Sequence, residues 1–165
     1  MSMKHSAGVN WYDYKSRRFE INGGDFENTN ALKKCSFDVA RVKISRGDDL
    51  KFDLKDVNSE SLFLEIDGGQ VDNGFWKLSK YPGDFLSITL GDSNLSMALI
   101  KEASAWKGDF LSITIPHHAL SLEEASFLAN AEVGAMELPY MTFKKGARDM
   151  LLSNEHSKDW SPNIK

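Results

Sequence analysis

Residues 83–97 read GDFLSITLGDSNLSM, and residues 108–122 read GDFLSITIPHHALSL. The two stretches start 25 residues apart and agree at 9 of 15 positions, while Leu90/Ile115 and Met97/Leu122 exchange one apolar side chain for another. Within each, aliphatic residues alternate with Ser and Thr, the period of a strand buried on one face. Leu86, Ile88 and Leu90 fall on one side, and Ser87 and Thr89 on the other. A helical pattern follows each strand. Ser93 or Asn94 caps a helix to about residue 104, with Leu95, Leu99, Ile100 and Ala103 on one face. Ser121 opens a second helix, with Glu123 and Glu124 in the first turn where the helix dipole favours them. Gly108 and Gly134 end the two helices, and a weaker strand over 136–143 follows, interrupted by Pro139. A last helical turn or two spans 147–152, and residues 153–165, polar apart from Trp160, form a loosely held tail. Successive strands joined by helices of this length are expected to run parallel.

The first half reads differently. Residues 18–22 (RFEIN), 36–45 (SFDVARVKIS), 50–54 (LKFDL), 62–66 (LFLEI) and 75–78 (FWKL) all look like strands. In the second of these, Ala40, Val42 and Ile44 share a face opposite Arg41 and Lys43. Gly47-Asp48-Asp49, Asp67-Gly68-Gly69 and Asn73-Gly74 are short turn signals, which point to antiparallel neighbours. The fold expected is therefore α/β or α+β in one domain over 1–165. It comprises a β-rich antiparallel part at about 18–80, parallel strand–helix units at about 81–152, and the tail. Residues 1–17, with Trp11, Tyr12 and Tyr14, are expected to pack as a cap.

The totals narrow the class. A chain of 165 residues with 41 % apolar content is long and apolar enough for one real core. No apolar run reaches a membrane span, and the N-terminus lacks the apolar stretch of a secretory signal. A single cysteine, Cys35, excludes an internal disulfide framework and fits the cytoplasm; its place at a strand start suggests a small buried residue. The net charge of −4 argues against nucleic acid and favours a basic partner. The clusters Lys15, Arg17, Arg18 and Lys144, Lys145, Arg148 read as solvated surface.

The spacing of Phe85, Ile88, Leu90 and Leu95 recurs in Phe110, Ile113, Ile115 and Leu120. It resembles the strand–helix type of leucine-rich repeat, whose signature has four apolar residues at such intervals and a period of 20–29. Weaker units start at Ser61 and Leu138, so the resemblance covers about residues 61–152; the family's asparagine slot holds Ser93 in one unit and His118 in the next. A plain α/β or α+β domain with one duplicated strand–helix unit is the alternative. The resemblance implies a protein-binding surface on the outer face of the sheet. It would carry Ser87, Thr89, Asp92, Ser112, Thr114, His117, Tyr140 and Thr142, with His118 beside them.

No motif for catalysis is present. The chain lacks the phosphate-loop, dinucleotide, nucleophile-elbow and zinc-protease patterns. Gly83-Asp84 and Gly108-Asp109 precede strands and read as helix-end punctuation. Adjacent His117-His118 diverge and make a poor chelate, and Asp48, Asp49, Asp53, Asp56 and Glu60 do not match a calcium loop. No cofactor and no metal are expected. The function expected is a non-enzymatic protein-binding module of the immunity- or adaptor-protein class. The rivals are a small hydrolase or transferase with His117 as general base and Asp92 as its acidic partner, and a structural subunit of a phage or secretion assembly. Composition does not fix the oligomeric state.

Overall fold

The computed structural model describes residues 2–3, 9–13, 17–22, 33–45, 53–67, 77–91, 96–160 and 164. Its main sheet contains β1 (Ser2–Met3), β2 (Val9–Asp13), β3 (Arg18–Asn22), β4 (Phe37–Ile44), β5 (Ser59–Ile66), β6 (Phe85–Leu90), β7 (Phe110–Thr114) and β9 (Ala135–Glu137), in that spatial order. β1, β2 and β3 pair antiparallel, and every pairing from β3 to β9 is parallel. Two further strands, β8 (Ala119–Leu120) and β10 (Thr142–Phe143), pair parallel in a separate ribbon. The helices are α1 (Met97–Ala105), α2 (Leu122–Leu128) and α3 (Ala147–Leu151).

An antiparallel arrangement of the first half is thus overturned beyond β3. The turn-like dipeptides misled because they sit inside longer connections. Residues 45–58 separate β4 from β5, and residues 67–84 separate β5 from β6. Both lengths allow the crossover that parallel strands require. The expected strand at 50–54 ends in a 3₁₀ turn at Leu54–Asp56, and that at 75–78 gives way to one at Leu78–Lys80. Leu54 and Leu78 are buried and add apolar side chains to the crossover layer, while residues 50–52 and 75–76 lie outside the described residues. The hairpin signal at 73–74 and the caps Ser93 and Asn94 lie outside the described residues. Backbone pairing places β1 and β2 alongside β3, so the N-terminal segment extends the sheet.

Register explains why the strands take this order. Ala40, Leu62, Leu86, Leu111 and Met136 are direct partners across successive strands, as are Val42, Leu64, Ile88 and Ile113. All of them are buried. Each fully buried aliphatic side chain stabilises by about 1.5–3 kcal/mol, and a one-residue slip would turn a whole row outward. Leu99, Ile100 and Ala103 of α1 and Ala125 and Leu128 of α2 join the same core. Ser96 caps α1 through Leu99 N–H at 3.1 Å. Ser121 caps α2 in a capping box, accepting from Glu124 N–H while the Glu124 carboxylate accepts from Ser121 N–H at 2.7 Å.

The connections into the strands carry a repeated device. Tyr81 is buried and its hydroxyl donates to Ser59 O at 3.0 Å. Trp106, 25 residues on, donates its indole N–H to Tyr81 O at 3.1 Å, and Trp160 donates to Val133 O at 3.2 Å. Each ring fills the core and satisfies a carbonyl on the preceding circuit of the chain. This is why glycine precedes each copy of the repeated strand. A Cβ on Gly83 would lie 2.1 Å from Tyr81 Oη, and one on Gly108 would lie 2.2 Å from the Trp106 ring. The glycines make room for the rings and are not helix-end punctuation.

The described residues of the C-terminal segment, 153–160 and 164, close the far end of the core and are not loosely held. Trp160 and Ser157 are fully buried and Ile164 nearly so. The Arg148 guanidinium donates to Ile164 O at 3.2 and 3.3 Å, and the Asn154 amide donates to Ala129 O.

Candidate functional site

The strands that bury one row of side chains must present the other row outward. Along the first outward row, Val39, Ser61, Phe85, Phe110 and Ala135 are successive register partners. Along the next are Glu20, Arg41, Phe63, Ser87, Ser112 and Glu137. Phe63, Phe85 and Phe110 are all half-buried on this face. Phe85 and Phe110 stack with centroids 4.8 Å apart and planes 5° from parallel, and Phe63 tilts against Phe85 at 5.4 Å. At that separation near-parallel rings are offset-stacked, so each covers part of one face of the other.

One flank of the row is charged and self-neutralised. Arg41 lies over the Phe63 ring at 5.2 Å and donates to Glu65 at 2.8 Å. Lys43 sits 3.3 Å from Glu20 and 3.8 Å from Glu65. The other flank carries small hydroxyl side chains, Ser87 and Thr89 on β6 and Ser112 and Thr114 on β7, with Glu137 on β9 at its edge. Ser112 is 7 % exposed beside Phe110 and Glu137, which removes it from any direct contact; Ser87, Thr89 and Thr114 stay half-exposed.

Two turns form the C-terminal rim of this face. Ile115-Pro116-His117-His118 closes through His118 N–H to Ile115 O at 3.3 Å, and Leu138-Pro139-Tyr140-Met141 through Met141 N–H to Leu138 O at 3.4 Å. His117 has φ +63° and Tyr140 has φ +64°. Proline second and positive φ third is the type II pattern, which normally takes Gly or Asn at the third place. Thr142 N–H donates to His118 O at 2.9 Å, so the two turns lie on adjacent circuits. The expected strand at 136–143 is therefore two strands in two sheets, separated by the second turn.

His117 is exposed, and Tyr140 is 80 % exposed. His118, not His117, is the histidine that meets a carboxylate: its Nε2 lies 3.1 Å from Glu124 Oε2. Burial pushes the Glu124 carboxyl up. The bonds from Ser121 N–H, His118 and the Ser121 hydroxyl outweigh that and leave it below its ordinary value. Glu124 thus serves the capping box and holds His118 in place. Exposed Thr142 lies on the β8–β10 ribbon, and Asp92 lies outside the described residues. Cys35 is exposed, not buried, because the chain enters β4 at Phe37 and the preceding residues lie at the surface. Among the described residues, no three His, Cys, Asp or Glu side chains are grouped to hold a metal, and no helix is long and apolar enough to cross a membrane.

Sequence reasoning missed the three phenylalanines, though the signal was present. Phe85 shares the parity of Ser87 and Thr89, whereas the leucine-rich-repeat spacing grouped it with Ile88, three residues on and so on the opposite face of a strand. No family model matches the chain, and neither the curated proteins nor the solved structures compared with it match.

Proposed function

We propose that this chain is a non-enzymatic protein-binding module of the immunity- or adaptor-protein class, acting in the cytoplasm through the outer face of its parallel sheet. The observation that carries the reading is the row Phe63–Phe85–Phe110, three aromatic side chains left half-exposed on the face away from the helices. Aromatic residues that retain accessible surface beside small hydroxyl side chains suit the centre of a protein interface. The Phe85–Phe110 stack leaves each ring less face for a flat ligand such as a base or sugar than a lone aromatic side chain would offer. The general-base alternative draws no support from the geometry, because His117 projects from an exposed turn and meets no carboxylate among the described residues.

The test is affinity capture from the native host with wild type and a Phe85→Thr/Phe110→Thr variant. Threonine is the residue already present in the outward positions 89 and 114 and keeps strand propensity. A specific protein recovered by wild type and lost by a folded double variant supports the reading. Equal recovery by both removes the outer face as the binding site.

A further inference from the structure

Among the described residues, four side chains other than glycine are held at positive φ: Arg17 (+48°), Lys77 (+45°), His117 (+63°) and Tyr140 (+64°). That conformation is unfavourable for residues with a Cβ and persists where something else over-determines it. For two of them the fold supplies partners. Arg17 meets Asp38 at 3.4 Å and donates to Ser36 Oγ at 2.9 Å, and Lys77 meets Asp53 at 3.5 Å. His117 and Tyr140 have no hydrogen-bond, ionic or ring partner among the described residues and stand exposed on adjacent circuits. Glycine would form either turn with less strain. The fold therefore supplies no described partner that explains a side chain at either tip.

The chemistry at the Tyr140 tip is specific. Tyr140 is 80 % exposed and has no ring contact among the described residues, unlike the stacked phenylalanines. Glu137, three residues earlier at the end of β9, is half-buried and has no cationic partner among the described residues, whereas Glu20 and Glu65 are both taken by Lys43. Three residues of chain span at most about 11 Å, within reach of one long side chain that lies over the ring while its head meets the carboxylate. Arginine fits this pair best, since its planar guanidinium both stacks on an aromatic face and forks onto a carboxylate. Lys144 and Lys145, exposed just past β10, would favour an anion instead, and the experiment separates the two.

We infer that the His117/Tyr140 rim is a docking point for an arginine side chain of a protein partner, held between the Tyr140 ring and the Glu137 carboxylate. The partner's being a protein rests on the proposed function; the arginine site itself is read independently of the phenylalanine row. The experiment is NMR titration of the full chain at low salt with a capped penta-arginine peptide, and with penta-lysine and penta-glutamate peptides as comparisons. Saturable shifts are expected at Tyr140 and Glu137 with penta-arginine, weaker with penta-lysine and absent with penta-glutamate. Tyr140→Gly and Glu137→Gln should each weaken binding by about two- to fivefold, Tyr140→Phe should retain it, and Tyr140→Gly should melt no lower than wild type. The Phe85→Thr/Phe110→Thr variant should bind the peptide normally, so loss of the natural partner there leaves the rim site standing. Absence of saturable shifts at Tyr140, unchanged affinity in Tyr140→Gly, preference for penta-glutamate, or a lower melting point of Tyr140→Gly would each overturn the inference.

Discussion

At the N-terminal ends of β6 and β7, Tyr81 and Trp106 lie buried over Gly83 and Gly108 and donate to carbonyls one circuit back. At the C-terminal ends of β7 and β9, His117 and Tyr140 stand exposed on strained turns and meet nothing described. The first end uses rings to join circuits, with glycine providing the space. The second end accepts backbone strain to keep a side chain where glycine would be easier. The two copies of the repeat agree at the first end and diverge at the second, as expected where packing fixes one and recognition shapes the other.

The largest effect that tests this contrast comes from Trp106. Trp106→Ala removes a fully buried indole and the donor to Tyr81 O, and should cost about 3–5 kcal/mol. Phe85→Ala, on the half-buried outer row, should cost about 1–2 kcal/mol. Denaturant midpoints at constant m-value compare the two directly. Equal losses would mean that the outer phenylalanines hold the fold together as the buried rings do, and would remove the reason for assigning them to a partner.

Tyr81 gives the next effect, and it is pH-dependent. Burial pushes its hydroxyl up to about 12, with the Ser59 bond acting against it and Asp84 and Glu60 adding to it. A folded-state value raised above the ordinary value of 10 means that the stabilisation is complete below pH 10 and disappears as pH rises through 12. The loss attributable to this group is roughly 3 kcal/mol. Tyr81→Phe should be less stable at neutral pH, because Ser59 O loses its phenol donor, yet show a flatter decline over the alkaline range. Parallel alkaline curves for the two proteins would show that the phenol is not buried in the way the contrast requires.

Much of the buried end was legible in the sequence, and the reasons are local. Ala40, Val42 and Ile44 alternate with Arg41 and Lys43, and Ser121 stands three residues before Glu124, so a strand and a helix start could be read directly. The direction of the strands was not legible, because Asp67-Gly68-Gly69 looks the same in a hairpin turn as at the start of a crossover. The meaning of Gly83 and Gly108 was hidden as well, since it depends on a ring two residues earlier folding back over them. Pro139 marked a break in its strand, but no sequence rule places His or Tyr at positive φ in the third position of a turn.

A smaller effect sits at the junction of the two ends, where Glu124 caps α2 and holds His118. Ser121→Ala should cost about 1 kcal/mol by opening the capping box. Because the folded-state value of Glu124 is lowered, its stabilisation is complete above its ordinary value of 4.5 and is lost as pH falls through the folded value. Acid titration followed by circular dichroism should show this decline in wild type and a shallower one in Glu124→Gln.

The smallest effect separates strain that the fold compensates from strain that it does not. Replacing Tyr140 by glycine removes the left-handed penalty, of order 1 kcal/mol, and no described contact is lost. Added freedom of the unfolded chain offsets part of that gain, so stability should rise slightly or stay level. Replacing Lys77 relieves the same penalty but removes the ion pair with Asp53, whose carboxyl is held low by bonds to Lys55 and by the charges of Lys55 and Lys77 against the opposing effect of burial. Lys77→Gly should therefore gain less than Tyr140→Gly or lose stability. Thermal melts at low and high salt read the difference: salt screens the Lys77–Asp53 attraction and should narrow the gap between the variants. A Tyr140→Gly variant less stable than Lys77→Gly at both salts would mean that the exposed tip is held by the fold after all, and the contrast between the two ends of the strands would fail at its most sensitive point.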